Sequence, residues 1–309
     1  MTPSTLLRGL RFAIPFLALC STAIAANPPP LPKCCVWRVT NAKAPFYLVG
    51  SIHALSSHDY PLPAPYEMAV KDSKRLVFEF NPNLHDEFEK KFAAAGKYPP
   101  GQDIRSKIHP PTLAWLRKNT RAIDWSYDKS SKKYHVVLKD FDSNLQYKPW
   151  WIAHHYFAIR GYSDISHSNG VDNFLANRAR KTGKELAGLE SVDEHVAILG
   201  GLSDLDGEII LLDTIVYANQ ALPAFNRIRS EWRRGDTEAL WEADARMRKE
   251  AFWIAGRLVD QRNVRWIPRI EREIKSGKPT AIVAGALHFS GPNSVVTLLQ
   301  RRGYKIEQL

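Results

Sequence analysis

Short apolar runs near both ends of the chain have the length and composition of β-strands. Near the start, CCVWRV and FYLVG flank the turn-like NAKAP, and RLVFEF follows; near the end stand TAIVAG and YKIEQL. Runs of about four to eight apolar, β-branched or aromatic residues bounded by Gly, Pro or Asn are typical of strands. The pattern predicts a hairpin whose second strand ends at Gly50, a strand that ends before NPN, and two strands at the C-terminal end.

The two ends of the chain repeat one order of elements. FYLVG precedes the loop SIHALSSHDYPLP, a helical stretch around PAPYEMAVKDS and the strand RLVFEF. TAIVAG precedes the loop ALHFSGPN, the helix SVVTLLQRR and the strand YKIEQL, with Gly303 as the stop signal of the helix. We predict an α/β fold with two pseudo-symmetric strand–loop–helix–strand halves. Right-handed crossovers would make the strands of each half parallel.

Apolar residues in the middle of the chain recur at helical spacing. Over about residues 99–278, stretches such as LAWLRKNT, VDNFLANRARKTG and EALWEADARMRKEAF combine an apolar face with a charged one. The short strand KELAGLES interrupts them, and YHVVLKDFD is ambiguous. No stretch resembles a linker between independent domains. We therefore predict one α/β domain over residues 27–309 with a large, mainly helical insertion at about 99–278.

The first 26 residues have the three-part layout of a secretory signal peptide. Two arginines precede the apolar core FAIPFLALC, and small residues follow up to a cleavage point near Ala25 or Ala26. The apolar core is too short to span a membrane, and no later segment reaches that length. We expect an exported protein, periplasmic or secreted, without a transmembrane segment. A lipid anchor on Cys20 is disfavoured because the bulky Leu19 precedes it.

The charge distribution and the cysteine content limit the kinds of binding partner and of disulfide that the protein can have. The formal net charge of +11 falls to +9 when the two arginines of the signal peptide are removed. The basic residues are scattered among acids, without the aromatic–basic alternation of a base-stacking surface, so we expect no nucleic-acid partner. Cys34 and Cys35 are adjacent and cannot form an ordinary disulfide without strain, so we interpret them as strand residues. The sequence leaves the oligomeric state open.

A histidine follows a strand-ending glycine by three residues at each end of the chain. The motifs are GSIH, from Gly50 to His53, and GALH, from Gly285 to His288. GxxH alone is a weak signal, since 17 glycines and 10 histidines supply about half a match by chance. Here each motif opens a loop at the carboxyl end of a strand, where ligands bind in open α/β folds. We predict that His53 and His288 share a site as metal ligands or bases, rather than bonding only to backbone.

Two carboxylates stand at strand ends. Glu79 lies between Phe78 and Phe80 in an apolar strand, where a carboxylate needs a partner unless it faces water from an edge strand. Glu190 follows the strand AGL and is either a site residue or a helix-capping acid before SVDEH. Two histidines and one or two carboxylates suit a divalent metal such as zinc, manganese or cobalt, with a position left open for water.

Other polar residues have two interpretations. Arg262 and Asn263 in QRNVRW could bind a carboxylate or stabilise an oxyanion, or could form a solvated helix face. Asp172 in SNGVDNF is a helix-start acid that could face the site. His195 lies near a helix start without a preceding strand pattern, so we predict no role for it. The chain contains no HExxH, GxSxG or Walker motif.

These phrases together resemble the TraB/GumN family, which includes PrgY-type pheromone-shutdown proteins and TIKI-like metalloproteases. The matching phrases are VWRV, FYLVGSIHALSSHDYPLP, RLVFEFNP, GVDNFLANRARKTGKELAGLES, WRRGDTEAL, RNVRW and AIVAGALHFSGPNSVVTLLQRRGYKI. The family is similar in fold to erythromycin esterase-like and ChaN-like proteins. The resemblance implies a hydrolase built on both GxxH motifs, with manganese or cobalt in TIKI-type members. By position it implies His53, His288 and Glu79 as metal ligands.

The resemblance also implies catalytic roles for Glu79, Glu190, Arg262 and Asn263. We predict an exported, metal-dependent hydrolase that cleaves peptide or amide bonds, with a peptide or a small amide or ester as substrate. A variant of this hypothesis is metal-free, with histidine as the general base. The alternative is a non-catalytic periplasmic protein that binds a small ligand, haem or a peptide in the same cleft. Residues 98–145 match no family phrase, and the sequence does not indicate their role.

Overall fold

A six-stranded mixed sheet lies at the centre of the fold. The computed structural model describes residues 33–128, 133–157 and 165–309, so the predicted signal peptide lies outside the described residues. The strands are β1 (Val36–Val39), β2 (Phe46–Ser51), β3 (Leu55–Ser56), β4 (Arg75–Phe80), β5 (Arg121–Asp128), β6 (Lys133–Asp140), β7 (Ile165–Ser166), β8 (Glu185–Glu190), β9 (Thr280–Gly285) and β10 (Ile306–Gln308).

The two predicted halves interleave in this sheet, whose order is β10-β1-β2-β9-β4-β8. β2, β9, β4 and β8 run parallel, while β1 pairs antiparallel with both β2 and β10. The predicted hairpin and α/β class are therefore confirmed. β9 of the second half lies between β2 and β4 of the first. In the parallel register Ser51 pairs with Gly285, and Phe80 pairs with Glu190. Both GxxH loops and both strand-end glutamates consequently leave the sheet at one edge.

Helices account for most of the remaining chain. They are α1 (Ala64–Asp72), α2 (His85–Ala95), α3 (Pro110–Asn119), α4 (Pro149–Phe157), α5 (Val171–Lys181), α6 (Val192–Gly200), α7 (Asp204–Val216), α8 (Ala221–Arg233), α9 (Thr237–Ala243), α10 (Ala245–Glu250), α11 (Phe252–Ala255), α12 (Gln261–Ser276) and α13 (Val295–Gln300). A π-helical turn, Gly256–Asp260, joins α11 to α12. In the described part of the chain, no helix is both long and apolar enough to cross a membrane.

The insertion contains an antiparallel hairpin that the mainly helical prediction did not include. β5 and β6 pair in register from Arg121 with Asp140 to Asp128 with Lys133. The ambiguous YHVVLKDFD therefore contributes a strand, because its β-branched and aromatic residues find a partner strand in RAIDWSYD. Helical spacing could not identify this hairpin, since pairing with a neighbouring strand decides it.

The main hydrophobic core joins the sheet to the helices that carry the site. It contains the apolar side chains of β1, β2, β4 and β9 together with residues of α1, α5, α12 and α13. Cys34 and Cys35 belong to it as free, buried thiols. They lie directly before β1 rather than within a strand, which corrects their interpretation as strand residues. Packing α5 and α12 on the same core brings two distant segments to the carboxyl edge of the sheet.

Candidate active site

The first GxxH loop is held against the start of α5. Val171 donates its backbone N–H to the carbonyl oxygen of Ile52 at 2.9 Å. Gly170 allows this approach, because a Cβ at that position would stand 2.2 Å from the carbonyl oxygen of His53. The absence of a side chain at Gly170 therefore allows the first turn of α5 to lie next to His53.

Asp172, in that first turn, anchors the His53 imidazole. Its Oδ2 lies 2.9 Å from His53 Nδ1, and its Oδ1 accepts a hydrogen bond from Ser51 Oγ at 2.8 Å. Since a carboxylate only accepts, we assign the Nδ1 proton to His53, which leaves Nε2 directed towards Glu79 Oε1 at 3.9 Å. The Asp172 carboxylate raises the pKa of His53 to about 9. The His53 side chain is 59% exposed, so it stands at the mouth of the site.

The second motif histidine, His288, is buried and neutral. Asn263 Nδ2 donates to the carbonyl oxygens of His288 and Asn293, at 3.3 and 2.9 Å. The Asn263 Oδ1 is therefore the acceptor that faces His288 Nδ1 at 2.7 Å, and His288 carries its proton on Nδ1. Burial lowers the pKa of His288 to about 3. Its Nε2 is left as a hydrogen-bond acceptor inside the site.

Arg262 is the buried cation that connects the two strand-end glutamates. Its Nε and Nη2 donate to the two carboxylate oxygens of Glu190, each at 2.9 Å. Nη2 also donates to Glu79 Oε2, and Nη1 donates to His288 Nε2 and to the Leu258 carbonyl oxygen, each at 3.1 Å. A guanidinium has five N–H donors, and these five bonds use all of them. Arg262 therefore holds the site together and has no donor left for a substrate oxygen.

Both glutamates are ionised. Burial alone would raise the pKa of Glu79, but the positive charge of Arg262, together with that of His53, holds it well below its usual range. Burial also opposes ionisation of Glu190, and hydrogen bonds from His195 and Arg262 outweigh it, so that its pKa falls to about 2. The site thus keeps two buried carboxylates charged at neutral pH around one guanidinium.

A small space over Gly285 is the point where the two motifs meet. The Gly285 N–H donates to Glu79 Oε1 at 2.8 Å. A Cβ built on Gly285 would lie 3.4 Å from Glu79 Oε1, 3.5 Å from His53 Nε2 and 3.6 Å from His288 Cδ2. Glu79 Oε1 is also 3.7 Å from His288 Nε2. Two imidazoles and one carboxylate therefore surround a volume of about the size of one small group.

The donor atoms do not fit a resident metal ion as they are arranged. Among the residues that the structure describes, no group of three or more His, Cys, Asp or Glu side chains has the arrangement of a metal site. Ligand atoms of a tetrahedral zinc ion lie about 3.3 Å apart, less than the 3.7 and 3.9 Å here. A metal on His288 Nε2 would also have to displace the Arg262 hydrogen bond. The ligand roles of His53, Glu79 and His288 therefore stay a prediction.

All six residues predicted from the sequence lie in this one site. Five of them share a hydrogen-bonded network, and His53 faces that network with its Nε2 3.9 Å from Glu79 Oε1. The alternatives weighed for four of them are wrong. Glu79 does not face water, since β4 lies between β9 and β8 and the side chain is 8% exposed. Glu190 does not cap α6, because Ser191 does. Arg262 and Asn263 are buried rather than on a solvated face.

Three further residues complete the site. Asp172, whose role the sequence left open, anchors the His53 imidazole through Nδ1. His195, for which no role was predicted, and Trp266 donate to Glu190 at 2.8 and 2.9 Å. A usable signal for His195 was its position in the first turn of a helix that starts directly after the strand-end Glu190, because that turn brings its side chain back to the strand end.

The fold and the site define a class of α/β protein in which two GxxH loops and two strand-end glutamates share one site. The sequence model of the TraB/PrgY/gumN family matches residues 35–308, so the chain belongs to this family. Comparison with curated proteins gives no match, and neither does comparison with solved structures.

Proposed function

We propose that the protein is a hydrolase that cleaves peptide or amide bonds at the space over Gly285. The observation that supports this most directly is the His53 imidazole, exposed at the mouth of the site and anchored through Nδ1 on Asp172. A histidine held in this way, with Nε2 free, can take a proton from a nucleophile and return it to a leaving group. His53 is thus the proposed general base and acid.

In the proposed reaction a water molecule lies between His53 Nε2 and Glu79 Oε1. Atoms 3.9 Å apart can both bond to one water at about 2.8 Å. The water oxygen attacks the carbonyl carbon while its proton passes to His53 Nε2. The resulting imidazolium is stabilised by Asp172, and it then donates that proton to the leaving nitrogen as the C–N bond breaks. Glu79 orients the water without taking the proton, since its pKa is far below that of His53.

Arg262 and Asn263, which were predicted to stabilise developing charge, are better suited to positioning other residues of the site. All five N–H groups of Arg262 bond within the protein, and both N–H groups of Asn263 Nδ2 donate to backbone carbonyls. We therefore assign Arg262 to holding Glu79, and Asn263 to fixing the tautomer of His288. No step of the proposed reaction passes through a metal.

A peptide-library cleavage assay read by mass spectrometry, with a metal chelator present, tests this function. We expect wild-type protein to cleave, His53→Ala to lose cleavage, and His58→Ala to retain it. His58 is the matched control because it is an exposed histidine of the same loop, bonded to Ser56 rather than to the site. Equal cleavage by the His53 variant would contradict the proposal. Peptide binding without cleavage by wild-type protein would favour the binding-protein alternative.

We also propose that the chain is exported and acts in the periplasm or outside the cell. The support is the layout of residues 1–26, with positive charge, an apolar core and small residues before Ala25 and Ala26. Expression in a bacterium followed by intact-mass measurement of the periplasmic fraction tests it. A mature protein that starts within a residue or two of Asn27 is expected; an uncleaved cytoplasmic chain would contradict export.

A further inference from the structure

A third histidine, His195, contacts the site through Glu190. His195 lies in the first turn of α6, five residues after Glu190, and its backbone N–H donates to the Ser191 carbonyl oxygen at 3.0 Å. This turn directs Nδ1 to within 2.8 Å of Glu190 Oε2. Because Glu190 is ionised, His195 Nδ1 is the donor. The sequence offered no role for this residue, and the proposed reaction does not use it.

Two phenylalanines pack against the His195 ring. The ring centroids of Phe80 and Phe88 lie 4.8 and 5.5 Å from that of His195. The side chain is 19% exposed. A ring that is both packed and hydrogen-bonded has one orientation, so it can fix the orientation of the carboxylate that it contacts.

The orientation of Glu190 determines how Arg262 is held. Glu190 accepts four hydrogen bonds: Oε1 from Trp266 Nε1 and Arg262 Nε, and Oε2 from Arg262 Nη2 and His195 Nδ1. Arg262 Nη2 is shared between Glu190 Oε2 and Glu79 Oε2. A rotation of the Glu190 carboxylate would therefore shift Nη2 away from Glu79, the residue that orients the water.

We propose that His195 is a positioning residue, which fixes Glu190 so that Arg262 holds Glu79 in its working orientation. The kinetic part of this inference rests on the proposed hydrolase function. The structural part does not, because Trp266 provides an independent signal. Its indole N–H donates to the same carboxylate, so its NMR resonance reports any change in the orientation of Glu190.

The test compares His195→Ala with His195→Asn. The Asn side-chain N–H can replace the Nδ1 donor to Glu190, whereas Ala removes it, and neither variant retains the ring Nε2. The readouts are the ¹H–¹⁵N spectrum of the nine tryptophan indoles, with Trp266→Phe as assignment control, and kcat/KM on the best library peptide. Melting curves establish that each variant is folded at the assay temperature.

We expect His195→Ala to move the Trp266 resonance and to lower kcat/KM by about 10- to 100-fold, the usual effect of losing a residue that orients a site group. His195→Asn should return both readouts close to wild type. A Trp266 resonance that does not move in His195→Ala overturns the inference. Loss of turnover in both variants while His195→Asn keeps the resonance also overturns it, because Nε2 would then act directly. If wild-type protein shows no turnover, the proposed hydrolase fails and the resonance alone decides the inference.

Discussion

At the scale of single residues, the role of each side chain in the site follows from its hydrogen bonds within the protein. Arg262, Asn263 and Glu190 are saturated, which suits residues that orient others. His53 differs, since its Nε2 has no partner within hydrogen-bond distance among the described residues and its side chain is mostly exposed. This difference separates the reacting group from its supports.

Replacing Asp172 with Asn should move the pH dependence of hydrolysis to lower pH. Neutral His53 is the base, and its pKa of about 9 in the wild type means that it is mostly protonated at neutral pH. Wild-type kcat/KM should therefore rise about tenfold per pH unit below pH 9 and level off above it. Without the Asp172 charge the pKa should fall towards 6.5, its value without these interactions.

Profiles of kcat/KM between about pH 5 and pH 10 measure this shift. The Asp172→Asn profile should level off nearer to neutral pH, and at a lower plateau because the imidazole is less well oriented. An unchanged alkaline midpoint in this variant would show that another group titrates.

Replacing Gly285 with Ala should block the site without unfolding the protein. The residue has φ −51° and ψ 136°, which alanine adopts readily. The added methyl group would stand 3.5 Å from His53 Nε2 and 3.4 Å from Glu79 Oε1, in the space assigned to water. We expect a fall in kcat/KM of about 100-fold, since small displacements of reacting groups have effects of that size. Full activity at an unchanged melting temperature would mean that the reaction takes place elsewhere.

At the scale of elements, the contact between the first GxxH loop and α5 determines where His53 points. Gly170→Ala places a Cβ 2.2 Å from the His53 carbonyl oxygen, so the loop or the helix must move. We expect a loss of about 1–3 kcal/mol in the free energy of unfolding, typical of overpacking, together with reduced hydrolysis.

Urea unfolding of Gly170→Ala beside Gly256→Ala measures that loss. Gly256 is the matched control because a Cβ there meets no atom within 4 Å and the backbone is helical, with φ −58°. The control should stay within about 0.5 kcal/mol of wild type or become more stable. Equal stability and activity of the two variants would contradict the importance of this contact.

The elements of the sheet, the strand-end residues, Arg262 and Asn263 could be predicted from the sequence, whereas the contacts of Asp172 and His195 with the site could not. Apolar runs ending in Gly50 and Gly285 identify strands that deliver a loop to one edge, and Glu79 lies in such a strand. Asp172 and His195 come from the first turns of helices, so their direction depends on how α5 and α6 pack. The hairpin of β5 and β6 was not predicted for a similar reason, because pairing between strands outweighs the local spacing of apolar residues.

At the scale of the whole molecule, the interleaved sheet makes the site a product of both ends of the chain. β9 lies between β2 and β4, and β10 closes the sheet on β1, where Cys34 N–H donates to the Leu309 carbonyl oxygen at 2.7 Å. Residues Pro32–Leu309 form one compact unit. Loss of either end should therefore disrupt the sheet and the site together.

The two buried thiols offer a probe of this cooperative unit. Burial raises the pKa of Cys34 to about 11 and that of Cys35 further, so almost no reactive thiolate exists at neutral pH. We expect native protein to react slowly with a thiol-specific disulfide reagent, and both thiols to react together once denaturant unfolds the sheet. Rapid labelling of native protein at an unchanged fold would contradict the packing of the segment before β1.

The most direct test of the central claim is the rate of peptide hydrolysis by wild-type protein and by Glu79→Gln, each with a metal chelator and then with added manganese, cobalt or zinc. A water oriented by Glu79 and deprotonated by His53 predicts the same wild-type rate under all these conditions, and a fall of about 100-fold or more in folded Glu79→Gln. Wild-type hydrolysis that disappears with the chelator and returns with one metal would contradict the account. So would a Glu79→Gln variant as active as wild type.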